Sequence, residues 1–357
     1  MRNGRSLVAL ASELERQLSS KRDLVLHPSL MRHETREAGD THLIIDHPGG
    51  GDFAVTELAR RQLAAKLNIP FAYFERMRSE QPQLLDRNVN TWLQCDEGHK
   101  MVRTLDGQAR AVLSDRYRRL DNHDLANAVI PILMTLPDVR FESMELTDTK
   151  MYLKVVVPPL AYTMAAGDIV QAGLVISNSE VGQGTLSVQP LMYRVLCSNG
   201  LIVPERALRK AHVGRALGGA LGGEDDALRI FQEETLRADD RAFFLKVRDV
   251  VQATVSEKTF LEGAHKLQRT MGVRLTGDPV KTVEVLANRF DLSDGERSGV
   301  LRHLISGGDL SGYGLVNAVT HFSQEVDDYD RATEFEALGG KLVELNHRDW
   351  ATLATAA

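Results

Sequence analysis

Met101-Val102-Arg103-Thr104-Leu105-Asp106-Gly107-Gln108-Ala109-Arg110-Ala111-Val112-Leu113 is the stretch on which the fold turns. Two strand-like runs flank Asp106-Gly107, and Asp-Gly supplies the positive φ angles of a tight hairpin turn. The reading is a β-hairpin over residues 100–117. Asn122 can then cap a helix in which Leu125, Val129, Ile132, Leu133 and Leu136 form one apolar stripe. Strands resume beyond it. Val139 to Leu146 and Met151 to Val157 flank Thr147-Asp148-Thr149. Ile169 to Ser177 and Thr185 to Cys197 flank Gly182-Gln183-Gly184, and Leu201-Ile202-Val203 follows Asn199-Gly200. Short connections imply antiparallel pairing, because parallel neighbours need long crossovers. The expected class is α+β. Residues 101–203 are expected to form one central antiparallel sheet of β-hairpins, with helix 122–136 crossing a face.

Outward from that centre the chain reads as helical. Residues 1–95 form an N-terminal helical part with one short strand, His42 to Asp46, ended by Pro48-Gly49-Gly50-Gly51. Thr56 caps a helix that stops at Asn68-Ile69-Pro70, and a second helix runs from Phe71 to about Arg78. This pair resembles a helix-turn-helix. A recognition helix, however, needs polar or basic residues at its start, and Phe71-Ala72-Tyr73-Phe74 is apolar. The expected organisation is an α+β core over 1–217, a Gly-rich linker over 218–226 containing Gly218-Gly219-Ala220-Leu221-Gly222-Gly223, and a C-terminal helical region over 227–357 packed on the core.

The net charge of −6 with 43% hydrophobic and 26% charged residues belongs to an ordinary globular protein. Two cysteines without paired spacing, Cys95 and Cys197, fit a reducing compartment as buried thiols. No run is apolar enough to span a membrane, so the expected location is cytoplasmic. Enzyme signatures are missing. Gly182-x-Gly184 lacks the third glycine of a dinucleotide fingerprint, and residues 218–223 lack the Lys-Ser/Thr of a phosphate loop. Cys95 and His99 have no second ligand pair, and Ser114 and Ser198 sit in no nucleophile elbow. The expectation is a protein that is not an enzyme and carries no cofactor and no metal.

Charge is unevenly spread. Residues 101–119 hold Arg103, Arg110, Arg116, Arg118 and Arg119 against Asp106 and Asp115, a net of +3. Residues 193–215 hold Arg194, Arg206, Arg209, Lys210 and Arg215 against Glu205, a net of +4. Tyr117 and Tyr193 are interleaved. Arginine pairs bidentately with phosphate and aromatic rings stack on unpaired bases, so these twelve residues are the candidate nucleic-acid-binding set. The competing reading is an internal salt-bridge network with the acidic helices.

Ser177-Asn178-Ser179-Glu180-Val181-Gly182-Gln183-Gly184, continuing through Tyr193-Arg194-Val195-Leu196-Cys197-Ser198-Asn199-Gly200-Leu201-Ile202, resembles the phage/plasmid-like family of prokaryotic proteins known as domain of unknown function nine-three-two. So do Arg61-Gln62-Leu63-Ala64 with Ile69-Pro70 and Tyr73, Ala111 to Tyr117, and Gly314 to Thr320. The likeness spans residues 60–320. It implies an accessory protein of a phage, plasmid or integrated element. In outline the sheet with a crossing helix is similar to single-strand annealing recombination proteins, a fold-level analogy. The expected function is binding of single-stranded DNA, in annealing or recombination, by a homo-oligomer. The alternative is an accessory protein that binds or inhibits a host factor through its acidic surface.

Overall fold

In the computed structural model, which describes residues 1–117, 119–203, 208–210 and 233–356, the Ser6 side chain accepts from Ala9 N and starts helix Leu7–Ser20 (α1). Four short strands follow: Arg22–Leu26 (β1), Met31–Thr35 (β2), Thr41–Ile45 (β3) and Asp52–Val55 (β4). Thr56 caps Glu57–Lys66 (α2), the chain turns at Pro70 into Phe71–Glu80 (α3), and Pro82–Cys95 (α4) follows. The central hairpin is Lys100–Leu105 (β5) and Gln108–Ser114 (β6). Both turn residues take positive φ, +50° at Asp106 and +77° at Gly107, as the Asp-Gly signal requires. Helix Asn122–Leu133 (α5) leads to Arg140–Leu146 (β7), Met151–Ala165 (β8), Asp168–Asn178 (β9), Leu186–Arg194 (β10), Asn199–Ile202 (β11) and Leu208–Lys210 (β12). The remaining described helices are Glu233–Thr254 (α6), Glu257–Arg269 (α7), Pro279–Phe290 (α8), Asp294–Gly307 (α9), Gly312–Phe322 (α10), Tyr329–Val343 (α11) and His347–Ala354 (α12).

The class is α+β, with helices flanking at both ends. The strands, however, divide between two sheets. One has the order β1-β5-β6-β4-β3-β2, and the other β11-β10-β9-β8-β7 with β12 beside β10. The hairpin at Asp106-Gly107 therefore belongs to the first sheet and does not join residues 140–203. Its outer partners are β1, antiparallel to β5, and β4, parallel to β6. A parallel partner reached through three helices leaves no short-range trace in the sequence. The N-terminal part is correspondingly richer in strands than expected. The linker over 218–226 lies outside the described residues.

Each sheet is held by alternation. Leu24, Leu26, Met31, Leu43, Ile45, Val102 and Val112 bury one face of the first sheet against Leu63 of α2, Phe74 of α3 and Leu85, Val89 and Leu93 of α4. The edge strand β2 is closed by α4. Asn90 accepts from His33 N at 2.7 Å and donates to His33 O at 2.9 Å, replacing a neighbouring strand.

Every residue of Met151–Val157 is buried, because the second sheet is covered on both faces. Met151, Leu153, Val155 and Val157 pack with Leu125 and Val129 of α5 and Val247 and Val251 of α6. Tyr152 and Val156 point the other way, toward Tyr329 of α11. Between them Lys154, fully buried, donates to Thr333 Oγ1 at 2.9 Å and Glu336 Oε2 at 2.7 Å, and lies 4.6 Å from the Tyr329 ring centroid.

This ion pair generates a stability prediction. Glu336→Leu strands the Lys154 ammonium in the core and is expected to cost about 3–5 kcal/mol, read from urea unfolding. Lys154→Met with Glu336→Leu removes both charges and is expected to recover most of that loss. An unchanged midpoint in the single variant would contradict the pairing.

Candidate functional site

The loop from Ser179 to Thr185 joins β9 to β10 and presses into the first sheet. Gln62 of α2 donates to Val181 O at 2.7 Å and accepts from Val112 N at 2.8 Å, so one amide ties the loop to β6. Tyr117 Oη donates to Ser179 O at 2.8 Å. Gly182 has φ +77°, and a Cβ there would meet Leu113 Cδ2 at 2.8 Å, so the position requires glycine.

Glu180 is the centre of the junction. Its carboxylate is 4% exposed and accepts from Asn122 N at 2.7 Å, with Lys21 Nζ at 3.3 Å and Arg110 on the other oxygen. Its backbone oxygen accepts from Arg103 Nη1 at 2.9 Å. Arg103 is fully buried. It meets Asp23 through Nε at 2.8 Å and Nη2 at 3.0 Å, and Asp121 through Nη2 at 2.6 Å. Lys21 also reaches Asp121 at 2.8 Å. Lys21, Arg103 and Arg110 thus balance Asp23, Asp121 and Glu180. Burial would raise the Asp121 carboxyl, but Arg103 and Lys21 outweigh it and hold it at about 2. Burial likewise opposes ionisation of Glu180, and Arg110 and Lys21 reverse it, leaving its pKa below the usual carboxylate value. Asp121, not Asn122, is the N-cap of α5, and its side chain makes no cap bond because it is spent on cations.

The predicted arginines separate on this frame. Arg103 and Arg110 belong to an internal ion-pair network, but its acids are Asp23, Asp121 and Glu180 rather than the acidic helices that the competing reading names. Arg119 is exposed, 3.6 Å from Asp23. Arg116 and Tyr117 are partly buried in the same loop, while Arg118 lies outside the described residues. Arg194 sits eight residues beyond Leu186 on β10, roughly 27 Å away at about 3.4 Å per residue. There it grips Asp168 through Nε at 2.7 Å and Nη2 at 2.8 Å, and Tyr313 Oη donates to the same carboxylate at 2.6 Å. Tyr193 is buried beside Leu191 and Ile202. Arg209 and Lys210 place their backbones opposite Ser187 and Leu186, and Arg206 and Arg215 lie outside the described residues. Tyr193 and Arg194 therefore do not share a groove with Arg103 and Arg110.

Two concavities among the described residues carry polar or aromatic groups of interest. One is a cleft of about 600 Å³ between the sheets, walled by α1, the start of α2, the β5–β6 turn, the β7–β8 turn and the Glu180 loop. The other is an open groove of about 400 Å³ among α2, α3 and α4. Trp92 is 51% exposed and Tyr73 46%, and both line that groove together with Lys66, Asn68 and Asn88. Burial, with Lys100 nearby, lowers the Lys66 ammonium below the ordinary lysine range. The sequence reading missed this groove. Its signal lay in α4, where Leu84, Asn88, Trp92 and Cys95 fall beside the buried stripe Leu85, Val89 and Leu93. Cys95 is accordingly exposed rather than buried, and Cys197 is half-buried; both are free thiols.

No family model, curated protein or solved structure matches the chain. Among the described residues, no group of three or more His, Cys, Asp or Glu could hold a metal ion, and no helix is long and apolar enough to cross a membrane.

The Glu180 junction sets an acid response. Asp121 and Glu180 are depressed in the folded state, so their contribution is complete above the unfolded carboxylate range near about 4 and is lost as pH falls through their folded values. Denaturant unfolding should show stability dropping between about pH 4 and about pH 2, with Asp121 supplying roughly 2 kcal/mol of the drop. Asp121→Asn should start less stable and titrate less steeply over that window; an identical slope would remove Asp121 from the account.

Proposed function

We propose that the chain binds unpaired nucleic acid without catalysing a reaction on it, as an accessory protein of a phage, plasmid or integrated element. The observation that carries this reading is the pair Trp92 and Tyr73, exposed on the walls of one groove. Successive bases stack on such rings whatever their sequence. Asn68 and Asn88 supply amides for base edges, and Lys66 a charge for the backbone. Lys66 lies within electrostatic reach of Lys100, Asp96 and Asp115. The site thus moves from the sheet face expected in the sequence to the helical layer beside it. The mobile-element origin rests on the family resemblance alone. Self-association is part of the same reading, and sedimentation with and without DNA checks it.

A second reading, docking of a host protein, draws on the same helix. Leu84 and Trp92 stand two turns apart on α4, 46% and 51% exposed, and exposed apolar side chains on one helix face suit a protein partner.

Tryptophan fluorescence separates the two. The chain has two tryptophans, and Trp350 is buried, so quenching by oligothymidylate reports Trp92. Stacking contributes about 1–3 kcal/mol per base, so Tyr73→Ala, read by quenching, and Trp92→Ala, read by gel shift because it lacks the reporter, should each weaken binding by about five-fold to more than a hundred-fold. With about three phosphate contacts, a rise from about 50 to about 200 mM salt should cost about one decade of affinity. No quenching at the low-salt end, with micromolar protein, would reject the nucleic-acid reading in favour of the protein partner.

A further inference from the structure

The inter-sheet cleft has a chemistry of its own, set by which hydrogen-bonding groups are already used. Its carboxylates are largely spent. Glu13 and Asp106 both hold Arg16, Glu57 holds Arg61, and each Glu180 oxygen faces a cation. Asp148, the remaining one, is exposed in the β7–β8 turn.

Of its charged donors, Arg5, Arg16 and Arg61 are paired with Glu145, Glu13 and Asp106, and Glu57, whereas two others are not fully used. Arg110 gives Nη2 to Glu180, but its Nε is buried and has no hydrogen-bond partner. A buried donor left unmade costs about 1–3 kcal/mol. Lys150 has no carboxylate partner among the described residues, although it lines the same cleft. Its stem runs beside the Glu180 loop: a Cβ on Gly184 would come within 3.1 Å of Lys150 Cε. Arg110 comes from β6 of the first sheet and Lys150 from the residue before β8 of the second. Positively charged side chains thus stand on both walls, Lys150 without a carboxylate partner among the described residues and Arg110 with one buried nitrogen unpartnered, and the Glu180 loop lies between them.

We infer that this cleft binds a compact phosphate-bearing ligand, its oxygens held between Arg110 and Lys150. Phosphate offers several strong acceptor oxygens in one small group, which suits a guanidinium edge and an ammonium. A volume of about 600 Å³ is that of a small-molecule site. The ligand would bridge the two sheets where the Glu180 junction holds them. This inference does not rest on the aromatic groove, which uses other elements.

The test is calorimetric titration of the full chain with inorganic pyrophosphate, beside succinate at matched ionic strength. Pyrophosphate is expected to bind and to raise Tm, and succinate is not. Lys150→Glu should weaken pyrophosphate at least about ten-fold, a change of about 1.4 kcal/mol. It should leave the unliganded Tm unchanged, because Lys150 holds no ion pair among the described residues. Arg110→Lys keeps the charge and removes Nε, and should weaken binding similarly; if it misfolds, Lys150→Glu carries the test. Competition by thymidine monophosphate identifies a free small ligand, and competition only by 5′-phosphorylated oligothymidylate identifies a strand end. Trp92→Ala should leave pyrophosphate binding intact, and Lys150→Glu should leave Trp92 quenching intact, so either reading can fail without the other. Absence of heat and Tm shift, an equal response to succinate, or equal binding by Lys150→Glu would each overturn the inference.

Discussion

The Glu180 carboxylate, almost wholly removed from water, is the constraint on which the arrangement of the two sheets depends. A lone buried carboxylate would be too costly to keep ionised. Its partners arrive from separate parts of the chain: Lys21 between α1 and β1, Arg110 on β6 and the first amide of α5. Arg103 on β5 takes the carbonyl of the same residue and carries Asp23 and Asp121 with it. Satisfying one side chain therefore fixes the first sheet, the crossing helix and the β9–β10 loop relative to one another. Gly182 and Gln62 set how closely that loop approaches. Such a network favours one docking geometry, because any other leaves charges unpaired in a low dielectric.

Local signals in the sequence were read where their physics is local. Asp106-Gly107 makes the turn its φ preference dictates, and Thr56 caps the helix that follows it. Thr147 to Lys150 closes the β7–β8 hairpin through the Thr147 N to Lys150 O bond of 2.8 Å. Pairing between distant segments was not legible. Strands β1 to β4 are four or five residues long, too short for alternation to stand out. Nothing near Ala54 and Val55 announces that they pair in parallel with Gln108 and Ala109. A single sheet over 101–203 is what adjacency in sequence predicts, and the two sheets arise because adjacency in sequence is not adjacency in space.

The candidate site divides in the same way. The arginine cluster at 103–119 was visible as a cluster, but the groups that consume it, Asp23 and Glu180, lie 80 and 70 or more residues away. Counting charge along a segment does not reveal which charges are neutralised across the fold. Trp92 and Tyr73 fail for a different reason. Each sits in a helix whose buried stripe is equally apolar, so the outward ring is hidden among inward ones until the register is known.

Net charge is therefore a poor guide to what this surface can hold. At −6 the chain should repel polyanions over long range, yet screening confines that repulsion to about a Debye length, roughly 8 Å at physiological salt. Inside a cleft the local balance of spent and unspent groups decides. Arg16 and Arg61 each face carboxylates already and have little to gain from a phosphate, whereas Lys150 gains a partner without losing one. The same logic applies at the aromatic groove, where stacking is insensitive to the sign of the distant field and Lys66 needs only to offset the local Asp96 and Asp115. Recognition of an anion by an acidic chain is consistent on these terms, because an unpaired cation inside a cleft gains from a ligand what a paired one does not.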